Sequence, residues 1–146
     1  MSYVADSNIL LRIIQYNHPM HAAALRAAVN LLRQGEVAHA LPQNLYEVWV
    51  VATRPVANNG LGLTAQEARR EINGIESLFA YIPDTPAIYP AWKGLVTQYS
   101  VLGRAAHDAR IVAAMQVYGI SHILTFNKDD FKRFPSITVV TPAEIS

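Results

Sequence analysis

The sequence contains no cysteine, few charged residues and no long apolar run. The absence of cysteine excludes disulfides, thiolate zinc sites, iron–sulfur clusters and cysteine nucleophiles, and it fits a reducing compartment. Charged residues make up 16% of the chain, against about a quarter in typical domains. Hydrophobic residues make up 51%, which excludes a disordered chain because enough apolar surface is present to offset the loss of chain entropy.

No apolar run approaches the roughly 18 residues that a membrane span requires. The first residues, MSYVAD, lack the basic and apolar regions of a secretory signal. We therefore expect a cytoplasmic protein without a membrane segment. The length of 146 residues is that of one ordinary domain, so residues 1–146 are expected to form a single domain.

Short apolar runs alternate with longer segments of helical periodicity. The predicted strands are residues 3–5, 37–40, 81–82, 123–124 and 138–140. The predicted helices are residues 9–16, 21–33, 43–53, 64–80, 87–99 and 105–118. Thr64 and Glu67 form a predicted capping box, and Gly119 is a predicted C-cap. The alternation predicts an α/β protein with a mostly parallel sheet, whose ligands gather beyond the carboxyl ends of the strands.

Asp6 is the only charged residue within residues 1–11, and it lies where the first strand ends and a helix begins. An aspartate there can cap the helix by accepting hydrogen bonds from free N–H groups. Ser7 and Asn8 could cap the same helix. Capping alone therefore does not explain why an acid stands at this position.

Glu47 is the only charged residue within residues 41–53, and its helical neighbours Val50 and Val51 are apolar. A buried carboxylate costs several kcal/mol unless it is paired. Two interpretations remain open: an internal ion pair, with Arg54 as a candidate partner, or a carboxylate that faces a cleft.

Asp108 begins an apolar helical face that continues through Ile111, Val112 and Met115. The helix dipole favours an acid in the first turn by about 0.3–1 kcal/mol. That preference explains how an acid can be accommodated in the first turn, but it does not explain why Asp108 stands at the start of an apolar helix face. Asp129 and Asp130 follow the fourth predicted strand, where a pair of acids is most often a solvated turn.

Two acids follow strand ends and two lie on inward helix faces, and these positions converge at one rim of an α/β sheet. Clustered carboxylates repel one another unless some are protonated or a cation neutralises them. Carboxylate oxygens favour Mg²⁺ or Mn²⁺. Such an ion can lower the pKa of a bound water, orient it in line with a phosphodiester and shield the charge of the transition state.

The remaining charges are mostly basic. Without the four acids the chain keeps seven acidic residues against 12 basic ones, nine of which are arginines that suit phosphate. The bases that lie near the acids in sequence are Arg54, Arg104, Arg110, Lys128, Lys132 and Arg133. They could equally be solubilising surface charge.

Four segments resemble, in order, the motifs of PIN-domain ribonucleases. They are DSNIL at 6–10, NLYEVW with the following TRP at 44–55, HDARIVAA at 107–114 and LTFNKDDF at 124–131. The chain is also similar in size to the VapC toxins of bacterial toxin–antitoxin pairs. The resemblance implies a PIN-like three-layer α/β/α sandwich with a mostly parallel sheet of about five strands. It also implies a Mg²⁺-dependent or Mn²⁺-dependent endoribonuclease that acts on RNA, forms a homodimer and is inhibited by a VapB-like antitoxin. The apolar early helices, residues 9–16 and 22–32, could supply a groove for that antitoxin or could equally belong to the core.

The resemblance assigns roles to particular acids. Asp6 and Asp108 would be the principal metal ligands. Glu47 and Asp130 would complete the catalytic set, through water or a second ion. The fourth acid is ambiguous because Asp129 and Asp130 are adjacent, and we prefer Asp130 because it precedes a phenylalanine.

The resemblance also implies roles for polar residues, and the distribution of charge suggests which bases contact RNA. Ser7, Asn8 and Asn127 would orient ligands or water from outside the metal's own coordination shell. The bases expected to bind the RNA substrate are Arg54, Arg104, Arg110 and Lys128. His107 is a candidate substrate contact, whereas Tyr46 and Trp49 are expected in the core.

Two other functions remain open. Asp6 could be the nucleophile of an aspartyl-phosphate-forming phosphatase or phosphotransferase. However, haloacid-dehalogenase-type enzymes have a second acid two residues later, where this chain has Asn8. Alternatively, the acids could bind a structural cation or a basic peptide without catalysis.

Overall fold

In the computed structural model, which describes residues 1–145, five strands and six α-helices alternate along the chain. The strands are β1 Ser2–Ala5, β2 Val37–Ala40, β3 Ala80–Tyr81, β4 His122–Leu124 and β5 Thr138–Val140. The helices are α1 Ser7–Ile14, α2 His21–Arg33, α3 Pro42–Thr53, α4 Ala65–Leu78, α5 Ile88–Gln98 and α6 Ala105–Tyr118. Short 3-10 turns cover Val56–Asn58, Lys128–Asp130 and Pro142–Glu144.

The strands form one parallel sheet in the order β3-β2-β1-β4-β5. The chain moves outward from β1 to β3 and then returns to add β4 on the other side of β1. In register, Tyr3 of β1 lies between Ala38 of β2 and His122 of β4. The strand order therefore reverses between β1 and β4, and ligands of open α/β sheets bind beyond the carboxyl ends of strands at such a point.

Helices cover both faces of the sheet. Tyr3 and Ala5 of β1 pack into a core with α1 to α4, whereas Val4 packs into a second core with α5 and α6. This division follows from the period of two in a strand, which sends successive side chains to opposite faces. The expected three-layer α/β/α sandwich with a parallel five-stranded sheet is confirmed.

Most elements lie at or near their predicted bounds, and the differences have local causes. Helix α1 begins at Ser7 because Asp6 is its N-cap. Helix α4 ends at Leu78, earlier than predicted, because β3 begins at Ala80 and pairs with β2. The capping box of Thr64 and Glu67 is present.

Two further observations concern the helices. Gly119 ends α6 with a φ of 69°, a left-handed conformation that favours glycine. No helix within residues 1–145 is long and apolar enough to cross a membrane.

Candidate active site

A cavity of about 820 Å³ opens among α1, α3, α6 and the turn after β4. The polar side chains that line it are Ser7, Glu47, Arg104, His107, Asp108 and Asp130. Part of its wall is apolar and comes from Leu11, Val50 and Val51. Three of the four predicted acids therefore line one cavity, although they lie far apart in sequence.

Asp6 lies beside this cavity and is only 7% exposed. Its Oδ1 accepts a hydrogen bond of 2.8 Å from the backbone N–H of Ser7, and its Oδ2 accepts one of 2.8 Å from the hydroxyl of Thr125. Burial raises the pKa of Asp6 to about 6 despite these two hydrogen bonds, and the charges of Glu47 and Asp130 act in the same direction as burial. Asp6 is thus a helix cap and also a member of the acidic group.

Asp108 lies in the first turn of α6 and is half-buried. Burial, together with the charges of Asp6, Asp130 and Glu47, raises its pKa to about 7, whereas Arg133 acts to lower it. Each of the other three acids therefore lies close enough to Asp108 to affect its charge. The fold brings the four predicted acids together at one place.

Glu47 is exposed and faces the cavity. Its Oε2 accepts a hydrogen bond of 2.5 Å from the hydroxyl of Ser7, and its Oε1 accepts one of 3.1 Å from Nε2 of Gln43. The alternative ion pair with Arg54 is not formed, because Nη2 of Arg54 donates to the backbone O of Asn59. Of the two interpretations, the structure favours the carboxylate that faces a cleft.

The carboxylates fit a hard divalent cation. As they stand, no three Asp, Glu or His side chains within residues 1–145 are close enough to hold one ion between them. Mg²⁺ commonly binds one or two carboxylates directly and keeps several waters. Because the charges of Glu47 and Asp130 raise the pKa of both Asp6 and Asp108, a cation held by two of the acids, with the others acting through water, would relieve their repulsion.

Asn8 and Thr125 connect α1 to the end of β4. Nδ2 of Asn8 donates to Oγ1 of Thr125 over 3.1 Å, and Oδ1 of Asn8 accepts a bond of 3.2 Å from the backbone N–H of Phe126. Asn127 is exposed and joins the network through its backbone N–H, which donates to Oγ1 of Thr125. Sequence reasoning did not assign Thr125 to the predicted site. Thr125 could have been identified from the sequence, because it directly follows β4 just as Asp6 directly follows β1.

Of the four bases predicted to bind RNA, Arg104 lines the cavity. The other three are engaged elsewhere. Arg54 contacts Asn59, Arg110 forms an ion pair of 3.0 Å with Asp84, and Lys128 forms one of 2.9 Å with Glu144. Arg133, which was not among the four, lies close enough to Asp108 to lower its pKa.

The structure distinguishes the adjacent acids after β4. Asp130 lines the cavity and raises the pKa of both Asp6 and Asp108. The side chain of Asp129 is 90% exposed and lies 3.8 Å from the ammonium of Lys132. These positions support the choice of Asp130 as the fourth acid.

Three residues of α3 have environments that sequence reasoning missed. Tyr46 and Trp49 are 68% and 38% exposed, so the expectation that they belong to the core is wrong. Asn44 is fully buried and donates through Nδ2 to the hydroxyl of Ser7 over 3.1 Å. Asn44 lies three residues before Glu47 on the same helix face, and this spacing could have identified it as a site residue from the sequence.

Comparison with known proteins agrees with this geometry. Residues 3–137 match the family model of the PIN domain. A search of curated proteins gives no significant match.

Three solved structures share the fold. VapBC2 from Rickettsia felis, bound to a DNA fragment from its promoter, has a TM-score of 0.73 and 16% identity, and the match covers 97% of this chain and 98% of the other. A toxin–antitoxin complex from Klebsiella pneumoniae has a TM-score of 0.66 and 23% identity, with 98% and 99% covered. VapC20 from Mycobacterium tuberculosis, a sarcin-ricin loop cleaving toxin, has a TM-score of 0.65 and 18% identity, with 90% and 95% covered.

The family match spans nearly the whole chain. The resemblance inferred from the sequence is therefore confirmed, and this chain belongs to the PIN-domain family.

Proposed function

We propose that this chain is an endoribonuclease that depends on Mg²⁺ or Mn²⁺ and hydrolyses RNA phosphodiester bonds. One observation carries the proposal. Asp6, at the end of β1, and Asp108, at the start of α6, have pKa values of about 6 and about 7, raised by burial and by the charges of neighbouring acids. Perturbed carboxylates of this kind in a cavity are typical of functional sites.

In the proposed mechanism, Asp6 and Asp108 would hold the cation in their ionised forms. A bound divalent ion would supply Lewis acidity towards phosphate oxygens and water. The two oxygens of Glu47 are each held by an uncharged donor, so this side chain could orient that water and accept its proton. Asp130 adds negative charge that favours the cation over a proton on its neighbours.

Basic residues at the cavity hold the RNA chain. Arg104 lines the cavity, and Arg133 lies close to Asp108. Their guanidinium groups can form paired hydrogen bonds to phosphate oxygens on either side of the bond to be cleaved. Electrostatic attraction of this kind makes RNA binding sensitive to salt.

We further propose that the chain is the cytoplasmic toxin of a VapBC pair, that it forms a homodimer and that a VapB-like antitoxin inhibits it. The fold is shared with VapBC2 and with a toxin–antitoxin complex. The apolar cavity wall of Leu11, Val50 and Val51, together with the exposed ring of Tyr46, would accept an apolar segment of the antitoxin.

The test is an RNA cleavage assay on the purified chain. Structured RNA should be cut in the presence of Mn²⁺, and a chelator should stop the reaction. Asp108→Asn should abolish cleavage, whereas Asp129→Asn, a matched change at an exposed acid, should leave it intact. Intact RNA under all metal conditions would refute the proposal.

Two other outcomes would favour the two alternative functions. Phosphate trapped on Asp6 would favour an aspartyl-phosphate enzyme, although both oxygens of this buried carboxylate already accept hydrogen bonds. Binding of Mn²⁺ without cleavage of RNA would favour a non-catalytic module.

A further inference from the structure

The side-chain amide of Gln43 makes three hydrogen bonds. Its Nε2 donates to Oε1 of Glu47 over 3.1 Å and to the backbone O of His107 over 2.8 Å. Its Oε1 accepts a hydrogen bond of 3.1 Å from Nη1 of Arg110. A flipped amide would point its NH₂ group at the guanidinium and its oxygen at the carbonyl. The three contacts therefore select one orientation of the amide.

Gln43 connects the two helices that carry Glu47 and Asp108. It lies four residues before Glu47 on α3, so both side chains share a helix face. The carbonyl of His107 on α6 belongs to the peptide bond that leads into Asp108. One amide thus contacts the carboxylate of Glu47 and the backbone beside Asp108, and it sets their separation across the cavity.

The contact with Glu47 holds the carboxylate without neutralising it. Glu47 is exposed and is repelled by the other acids, so an unanchored side chain would move towards solvent. Gln43 holds one of its oxygens, and the hydroxyl of Ser7 holds the other. Both donors are uncharged, whereas a guanidinium in direct contact would compete with a cation for this carboxylate.

The guanidinium of Arg110 contacts Gln43 and not Glu47 itself. Its Nη2 forms an ion pair of 3.0 Å with Asp84, while its Nη1 donates to Oε1 of Gln43. Asp84 therefore holds the guanidinium of Arg110 in a position from which the guanidinium orients the amide of Gln43.

We propose that Gln43 is a positioning residue that fixes Glu47 relative to Asp108 and thereby sets the affinity of the acidic site for its divalent cation, with Arg110 and Asp84 orienting its amide. This inference rests on the proposed function, since it takes the four acids to be the cation site. It adds to the proposed site an uncharged residue, Gln43, that lies outside the four acidic motifs.

The experiment measures Mn²⁺ binding to the full chain by calorimetry, without RNA, together with metal-free melting curves. Gln43→Met keeps the length of the side chain and removes its hydrogen bonds, so the Kd for Mn²⁺ should rise about tenfold or more. Gln116→Met is the matched control, because Gln116 lies on α6 and donates only to Ser136, over 3.3 Å. The Kd of the Gln116→Met variant for Mn²⁺ should equal that of the unsubstituted chain.

A second variant keeps the inference testable if Gln43→Met does not fold. Arg110→Met removes the donor that orients Gln43, and it should raise the Kd about threefold. A lowered metal-free melting temperature with an unchanged Kd in the folded variants would show a purely structural role and would overturn the inference. Absence of Mn²⁺ binding to the unsubstituted chain would instead overturn the proposed function itself.

Discussion

The hydroxyl of Thr125 donates a hydrogen bond of 2.8 Å to Oδ2 of Asp6, although the two residues lie at opposite ends of the chain. Thr125 follows β4 and Asp6 follows β1, the two strands between which the strand order reverses. This bond favours the ionised form of Asp6 and lowers its pKa, against the effect of burial. Thr125 therefore favours the ionised form of Asp6, which is the form that would hold the proposed cation.

Thr125→Val should weaken metal binding and stability together. Loss of the hydroxyl removes the hydrogen bond to Asp6 and leaves the backbone N–H of Asn127 without its acceptor. We expect the Kd for Mn²⁺ at pH 7 to rise about tenfold. The free energy of unfolding should fall by about 1–3 kcal/mol, as measured by denaturant unfolding.

Thr125→Ser keeps the hydroxyl and should restore most of the affinity for Mn²⁺. Thr138→Val, at an exposed position of the edge strand β5, is the control for a threonine-to-valine change and should leave the Kd unchanged. Equal affinities in Thr125→Val and the unsubstituted chain would show that this hydroxyl does not influence Asp6.

Without metal, Asp6 and Asp108 should make the protein less stable as pH rises. Their pKa values of about 6 and about 7 lie above the usual carboxyl value. Between pH of about 4 and 7 the folded chain therefore binds more protons than the unfolded chain. The stability that these protons provide is present at low pH and is lost as pH rises through the folded-state values.

The measurement is the melting temperature of the metal-free chain from pH 5 to 7.5. The unsubstituted chain should lose more stability over this range than Asp108→Asn, whose side chain has no charge to develop. The two acids act on each other, so they should titrate as a coupled pair. Saturating Mn²⁺ should raise the melting temperature most at the upper end of the range, where the ligands are ionised. Identical pH profiles for the two proteins would contradict the prediction.

Asp130 and Asp129 should differ sharply in their contribution to cleavage. Asp130 lines the cavity and acts on Asp6 and Asp108, whereas Asp129 is almost fully exposed. Asp130→Asn should lower kcat by about tenfold to a hundredfold, the range expected for groups that support a metal site. Asp129→Asn should stay within about twofold, because exposed substitutions rarely matter. A larger loss from Asp129→Asn would move the fourth acid to that position.

Arg104 should contribute to RNA binding through charge. Arg104→Gln, tested with the catalytically inactive Asp108→Asn background, should weaken RNA binding and reduce the slope of log K against log salt by about 1. Arg26→Gln removes the same charge from an exposed position of α2 and should leave both quantities unchanged. An unaltered salt slope in Arg104→Gln would remove this arginine from the RNA-binding surface.

The fold was accessible from the sequence because its signals are local. Alternating apolar runs and helical segments identified five strands and six helices close to their observed bounds. The acids were accessible for a related reason. Asp6 and Glu47 each interrupt an apolar stretch and Asp108 begins an apolar helical face, and both patterns are visible without knowledge of tertiary contacts.

The residues that sequence reasoning misplaced depend on contacts across the fold. Arg54 and Lys128 are near the acids in sequence, but their side chains turn to Asn59 and Glu144. Tyr46 belongs to an apolar segment, yet its face of α3 is directed to the cavity and not to the sheet. The direction of a long side chain is set by partners from other elements, and no local pattern records them.

The insertion of β4 beside β1 has a consequence for biosynthesis. Asp6 is translated before the six helices, whereas Thr125 and Asp130 follow all of them. A nascent chain that stops short of Thr125 lacks the hydroxyl that contacts Asp6 and the fourth acid, whatever its first half has folded into. If the chain cuts RNA, it should therefore be much less active while it is still being made beside the ribosome's own RNA.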